Sequence, residues 1–381
     1  MLIFASLACS VRVTNGVIWV YMAAILIWRL RTRKQLLLWF IIDSLWIGTL
    51  AVTLLFTLDT LYYGQKTLTP LNFLKTNLSS VSLFYGSNPW HFYFSQALPI
   101  LCTTALPFVL HGGYLVATTP NAAPTKLLFG LLCWTISVYS LAGHKEWRFI
   151  HPLLPALHLF AAKSLVDSWG KENQDAALPI SSRKMGLLLA TVPISAYIVL
   201  FYCSGPMSVM GYIRSLPPDV MAGGVGILMP CHSTPGHGYL HRPQLSHGEL
   251  WALGCEPPLQ NQDLSTYEDQ TTIFFADPYK YLTDRFPRVV DPAFPISPYP
   301  ASAPGNTSPN DRSWQHEWPF HLVFFGALLQ EKGVQELLEG KRYSEVWRAG
   351  RSWEGDGDER KGGVRVWKWT PRETSPVGSD S

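Results

Sequence analysis

The stretch His144-Lys145-Glu146-Trp147-Arg148-Phe149 holds the densest chemistry in the chain. It combines a carboxylate, two fixed cations and an imidazole with two aromatic rings. The planar guanidinium of Arg148 can grip a phosphate with two parallel hydrogen bonds, and Lys145 can add a point charge. A carboxylate such as Glu146 could take a proton from a sugar hydroxyl. The flanking residues, 127–141 and 150–166, are largely apolar. Charges wedged between such segments are costly near hydrocarbon and mark function. The plainer reading, an interfacial loop whose charges face water, fits this mixture of groups less well. The residues favour a membrane enzyme working on a lipid-linked phosphate or sugar. A transporter or channel is the competing class; the lack of internal repeats and the large extramembrane part argue against it. A non-catalytic subunit of a membrane complex stays open.

The elements that must position this motif are membrane helices. Apolar residues make up 48% of the 381-residue chain and charged residues only 15%. Up to about residue 204 the sequence is mostly apolar runs, and beyond it turns rich in Pro, Gly and charge. The reading is a membrane region of about six helices over 1–204, a soluble domain over 205–354 and a disordered tail over 355–381. The expected spans are 13–30, 36–58, 96–116, 127–141, 150–166 and 185–202, each near the length a bilayer needs. Residues 1–11 look like the tail of a helix whose start is missing, since a signal peptide would carry a basic leader. Asp43 should face other helices, and Pro99 and Pro107 should kink their span. Loops 59–95 and 142–149 then lie on one side of the membrane. The net charge of +3 is too small to argue for nucleic acid. No zinc-finger spacing, Gly-rich phosphate loop or local Ser-His-Asp or Cys-His motif appears, and Gly223-Gly224-Val225-Gly226 reads as a flexible turn.

Sidedness follows from the basic residues. Arg29 to Lys34, Lys126 and Lys171 to Lys184 fall on one side by alternation, which the positive-inside rule makes cytosolic. Loops 59–95 and 142–149 and the C-terminal domain fall opposite. Two glycosylation candidates, Asn77 and Asn306, share that side. So do Cys231 and Cys255, which could pair in an oxidising space. Cys231, His232, His237, His241 and His247 invite a zinc reading, but their spacing is not helical and Cys255 is a simpler partner for Cys231. In the C-terminal domain 225–229 and 250–253 read as strands, 322–329 as buried, and β-α-β is the expected arrangement.

The motif at 144–149 resembles the signature of the dolichyl-phosphate-mannose-dependent mannosyltransferases of the endoplasmic reticulum. The stretches Thr69-Pro70-Leu71-Asn72-Phe73, Phe84-Tyr85-Gly86-Ser87-Asn88-Pro89-Trp90-His91, Leu228-Met229-Pro230-Cys231-His232-Ser233-Thr234-Pro235 and Cys255-Glu256-Pro257-Pro258 narrow the resemblance. They point to the branch that adds the third mannose of the glycosylphosphatidylinositol (GPI) core by an α-1,2 link. The likeness covers about 11–369. It implies an α-helical polytopic membrane protein of the GT-C kind, in the endoplasmic reticulum membrane, with its active site lumenal and here a lumenal α+β domain at the C-terminus. The partners implied are a lipid-linked donor, dolichyl phosphate mannose, an acceptor GPI precursor and the surrounding lipid. Transfer inverts the sugar: a carboxylate deprotonates the acceptor hydroxyl, that oxygen attacks C1 of mannose, and dolichyl phosphate leaves. A monophosphate leaving group held by cations demands no metal, and no cofactor is expected.

Under this resemblance His144, Lys145, Glu146 and Arg148 bind substrate, joined by Trp90 and His91. Transfer to dolichol-linked oligosaccharides is the alternative, as is an inactive fragment. The family carries its acidic catalytic residue in the first lumenal loop, whereas no Asp or Glu precedes Asp43 here. The expectation is an N-terminally truncated chain that does not transfer mannose alone. Glu146, its charge committed to neighbouring cations, and Asp59, at a helix end, are weak catalytic candidates.

Overall fold

The structure is a computed structural model, and it describes residues 1–120, 123–169, 180–221, 223–259, 262–298, 314–355 and 357–371. It divides into two compact units, Met1–Pro193 and Ile194–Ser381. The sequon at Asn306 lies outside the described residues, as do most of the 171–184 loop and the final residues after 371.

Unit 1 is helical. α1 (Leu2–Val11), α2 (Gly16–Leu30) and α3 (Lys34–Tyr63) come first. α3 stops at Gly64, whose φ of +67° suits a residue without a Cβ. The expected loop 59–95 is largely ordered: α4 (Thr69–Leu78) and a 3₁₀ turn (Ser80–Tyr85) occupy it. Pro70 sits in the first turn of α4, where its missing N–H costs nothing. The span around 96–116 is bent. A π turn (Tyr93–Ala97), α5 (Leu98–Cys102), a 3₁₀ turn (Thr103–Ala105) and α6 (Leu106–Thr118) follow one another. Pro99 and Pro107 each open a helical segment, as their lack of an N–H requires. α7 (Ala123–Ser140), α8 (Leu154–Trp169) and α9 (Ser182–Leu189) follow.

Among the described residues, four helical stretches are long and apolar enough to cross a membrane: Val13–Leu30, Lys34–Tyr63, Tyr93–Thr118 and Ser182–Ser215. Two of the six expected spans do not reach that standard. α7 begins with Pro124, Thr125 and Lys126, which dilute its apolar run. α8 has 16 described residues, and 3₁₀ turns at Trp147–Phe149 and His151–Leu153 take up the first residues after the motif.

α6 and α8 pack closely enough to exclude a side chain. A Cβ at Gly112 would lie 1.8 Å from the carbonyl oxygen of Phe160. Small residues let helices approach in this way where water supplies no driving force. One turn away, His111 Nδ1 and Ser164 Oγ are hydrogen-bonded at 2.8 Å. Val109, Leu132, Leu157 and Phe160 form the buried core around this contact.

The division between the units falls in α10 (Val192–Leu200). Unit 2 continues with α11 (Gly205–Ser215), α12 (Pro218–Met221), α13 (His237–Leu240), α14 (Gln270–Ala276), α15 (Pro278–Arg285) and α16 (Val334–Gly340). Its sheet holds β1 (Val225–Leu228), β2 (Leu250–Ala252), β3 (His321–Phe325), β4 (Tyr343–Ala349) and β5 (Val364–Trp369). The order is β2-β1-β3-β5-β4, with β2, β1 and β3 mutually parallel and β5 antiparallel to both its neighbours, β3 and β4.

All five residues of β3 are buried. Leu322 and Phe324 join one core with Trp251, Phe274, Tyr281 and Leu338. Val323 and Phe325 join the other with Val209, Met210, Ile213 and Leu240. Helices therefore cover both faces of the sheet, which is why β1 and β3 read as unbroken apolar runs rather than alternating ones. The expected 355–381 tail contains β5, whose Val-Arg-Val-Trp-Lys-Trp alternation is a strand pattern. Nor is the glycine cluster a flexible turn. Gly224, at φ +78°, opens β1. Gly226 lies within it, where a Cβ would meet the Trp251 ring at 2.5 Å.

Candidate functional site

The motif 144–149 follows the last turns of α7 and is laced to the chain preceding the π turn. Asn88 N donates to Gly143 O at 3.2 Å, and Asn88 Nδ2 donates to Lys145 O at 2.8 Å. In return Lys145 Nζ donates to Asn88 O at 2.8 Å. His144 Nδ1 lies 2.9 Å from Gly86 O. These contacts fix the backbone on both sides of the motif, so its side chains have a firm base.

The remaining groups form a bridge around one carboxylate. Glu146 Oε1 lies 2.9 Å from His144 Nε2 and accepts from Arg148 Nη2 at 2.7 Å. Arg148 Nε also pairs with Glu146 Oε2, which makes the contact bidentate. Arg148 nevertheless keeps 65% of its side chain exposed. A guanidinium has five N–H donors, so this one retains capacity for a ligand.

Together these groups wall a cavity of about 990 Å³. Asp59, Thr69, Asn77, His144, Glu146 and Arg148 line it, with Arg12, Tyr93, Tyr139 and Phe149. Asp59 is held where α3 ends, and its Oδ2 accepts from Thr69 N at 2.7 Å. Thr69 begins α4, so the carboxylate faces the positive end of a helix. Tyr139 donates to Thr14 O at 3.0 Å and ties the α1–α2 connection to α7.

The structure thus brings His144, Glu146, Arg148, Asp59 and Asn77 to one cavity. Asn77 is helical, with Nδ2 donating to Phe73 O at 2.8 Å. Lys145 is turned elsewhere: it is buried, at 3% exposure, on the Asn88 carbonyl. Loss of solvent lowers its pKa from the ordinary lysine value. Trp90 and His91 stack edge to face on each other at 5.7 Å and are not among the lining residues. Arg12, Tyr93 and Tyr139 were not singled out from sequence. The lone cation of Arg12 between two apolar runs was a legible signal, and so was Tyr139 in the last turn before the motif.

In unit 2 Cys231 and Cys255 are joined as a disulfide. Their sulfurs and the His232 ring lie within 4.8 Å of one another. With both sulfurs in the S–S bond, His232 is left as a single donor, too few for a structural zinc site.

The Alg9-like mannosyltransferase family profile matches residues 1–241. GPI mannosyltransferase 3 of Aspergillus fumigatus is 33% identical over 97% of this chain and 52% of its own length. GPI alpha-1,2-mannosyltransferase 3 of Mus musculus is 36% identical over 74% of the chain and 49% of its own length. GPI mannosyltransferase 3 of Saccharomyces cerevisiae is 32% identical over 99% of the chain and 60% of its own length. The chain thus spans about half to three fifths of the length of these curated relatives. No solved structure matches it.

Proposed function

The chain belongs to the Alg9-like mannosyltransferase family, and from that premise we propose that it serves to transfer mannose from dolichyl phosphate mannose to a GPI precursor, adding the third mannose by an α-1,2 link. The observation that carries this reading is the cavity, where an exposed arginine, an imidazole and two carboxylates converge beside apolar helices. The names of the relatives supply the sugar, the acceptor and the linkage.

In this reading Arg148 binds the donor phosphate with the donors that Glu146 leaves over. Its charge offsets the negative charge that grows on the phosphate as the C1–O bond breaks. Glu146 and His144 hold the guanidinium in place. Lys145 and Asn88 form the frame under the motif, so the lysine contributes position rather than charge. Of the two carboxylates on the wall, Asp59 is the better base. Glu146 has both oxygens engaged with Arg148 and His144, whereas one oxygen of Asp59 takes the Thr69 amide. The acceptor hydroxyl loses its proton to Asp59 as its oxygen attacks C1 from the face opposite the phosphate. A positioned base of this kind is worth about 10²–10⁴-fold in rate. No metal or cofactor enters the scheme. The cavity and unit 2 lie on the lumenal side of the endoplasmic reticulum membrane.

Deleting the gene that encodes this chain tests the proposal. Radiolabelled mannose should then accumulate in a GPI precursor bearing two mannoses. Shortened dolichol-linked oligosaccharides with normal GPI lipids would move the chain to the sister reaction. Normal levels of both lipids would overturn the assignment.

A further inference from the structure

We infer that unit 2 carries a binding site of its own, for a phosphate ester, in the crevice at the carboxyl ends of β1 and β3. The argument starts from topology. The chain leaves β1 for β2 on one side and later enters β3 on the other. In open sheets with parallel strands, ligands sit where the strand order reverses in this way, outside the carboxyl ends. A cavity of about 380 Å³ lies at that point. His232 and Ser233, just past β1, line it together with Phe325, the last residue of β3.

The charges around the cavity favour an anion. Arg351 and Arg360 both line it, and so does Glu354. Glu354 is already matched. Its side chain is 4% exposed, lies 3.4 Å from Arg351 Nη1 and accepts from Tyr197 Oη at 3.2 Å. Arg351 also donates to Tyr197 Oη and lies over the Tyr197 ring. Arg360 Nε is buried and has no hydrogen-bond partner among the described residues. A buried donor left unpaired is costly, and an acceptor that reaches it removes that cost.

A second feature points the same way. The first turn of α11, an eleven-residue helix, supplies Gly205, Pro206 and Met207 to the wall, and its Ser204 cap makes no side-chain bond. Backbone N–H groups at such a turn attract phosphate, here those of Gly205 and Met207, since Pro206 has none. The disulfide holds the neighbouring His232 at the rim, at φ +62°. Tyr202, Met207, Phe325 and Val364 add apolar surface. The ligand is therefore a phosphate mono- or diester with an apolar portion beside it. A lipid headgroup and a small soluble ester share that chemistry.

The test uses the full chain purified in detergent, with isothermal titration calorimetry. The probes are dihexanoyl phosphatidic acid, glycerol phosphate and inorganic phosphate. Arg360→Gln should weaken binding about tenfold or more, the loss of a charge-assisted hydrogen bond. Lys361→Gln, which removes a cation outside the cavity, should leave it unchanged. Arg351→Lys keeps the pair with Glu354 but loses the fork, so it serves as a second variant if Arg360→Gln does not fold. Binding of phosphatidic acid alone assigns a lipid headgroup, and binding of glycerol phosphate as well assigns a soluble ester. Wild-type protein that binds none of the probes, Arg360→Gln within threefold of wild type, or equal weakening by Lys361→Gln would overturn the site.

Discussion

Lowering the pH from 7 to 5 should destabilise unit 2 far more than its surface charge implies, because of two histidines held neutral inside it. His316 is stacked on Phe286 at 4.6 Å and bonded through Nε2 to Tyr281 Oη at 2.9 Å. Burial first, and then the charge of Arg285, hold its pKa down at about 3, against 6.5 in an open chain. His321 is fully buried in β3, and neither ring nitrogen has a partner among the described residues. Burial and Lys368 hold it at about 4. Both pKa values are lowered on folding, so the sign is fixed. Above pH 6.5 neither state binds the proton and stability does not change. As pH falls below 6.5 the unfolded chain gains two protons that the folded chain refuses, and stability is lost. The loss per histidine is about 1.4 kcal/mol per pH unit. At pH 5 this comes to roughly 2 kcal/mol each, about 4 kcal/mol together, a large share of the 5–15 kcal/mol typical of a domain. Glu317 opposes them, since burial and then the charge of Asp291 raise its carboxyl pKa; Glu317→Gln removes that contribution. Hydrogen exchange on the full chain reads the effect. After correction for intrinsic rates, protection of the slowest β3 amides should fall about a thousandfold between pH 7 and pH 5. His321→Leu should halve the slope. Wild-type protection constant within about threefold over that range would refute the reasoning.

Other expectations concern unit 1 and topology. Lys145→Met should cost about 1.5–3 kcal/mol of stability, the loss of a charge-assisted bond to Asn88 O, and should lower turnover while leaving the apparent KM for donor unchanged; a raised KM would put the lysine on the phosphate. Arg148→Lys keeps the charge but loses the fork, so donor affinity should fall by about tenfold, and wild-type affinity and turnover in a rescue assay would remove the phosphate role. Gly112→Ala would place a Cβ 1.8 Å from Phe160 O, forcing α6 and α8 apart and costing at least about 1–3 kcal/mol in thermal unfolding; a melting temperature equal to wild type would contradict the close approach. A glycosylation acceptor appended after Ser381 should be modified in microsomes, and an unmodified tag beside a modified reporter would reverse the proposed sidedness.

The sequence made some parts of this protein easy to read and hid others, for physical reasons. α2 and α3 were visible because a lipid-facing helix is apolar on every side and its length is set by the bilayer. β1 read as a strand, and β3 only as a buried stretch, because strands buried on both faces lose their alternation. β5 alternates cleanly, but it follows a run of glycines and charges whose composition resembles a tail. β4 is an edge strand with exposed Ser344 and Glu345 and a register shift before Trp347, so no apolar pattern marks it. The motif itself stood out by charge. That Lys145 turns inward while Arg148 stays exposed was not legible, because the difference depends on Asn88, 57 residues away. A pairing at that range leaves no local periodicity to detect.

The position of β5 has a consequence for how the protein is made. β3 needs β5 as its neighbour, yet the ribosome completes β3 at residue 325 and does not reach residue 369 until later. During translation β3 therefore waits with one edge open, and four of its five side chains, Leu322 to Phe325, are apolar. Such an edge recruits strands from other chains. A nonsense or frameshift change between residues 326 and 364 would make that waiting state permanent. Its expected outcome is aggregation and degradation of the nascent product, even though every residue of the cavity in unit 1 would have been synthesised.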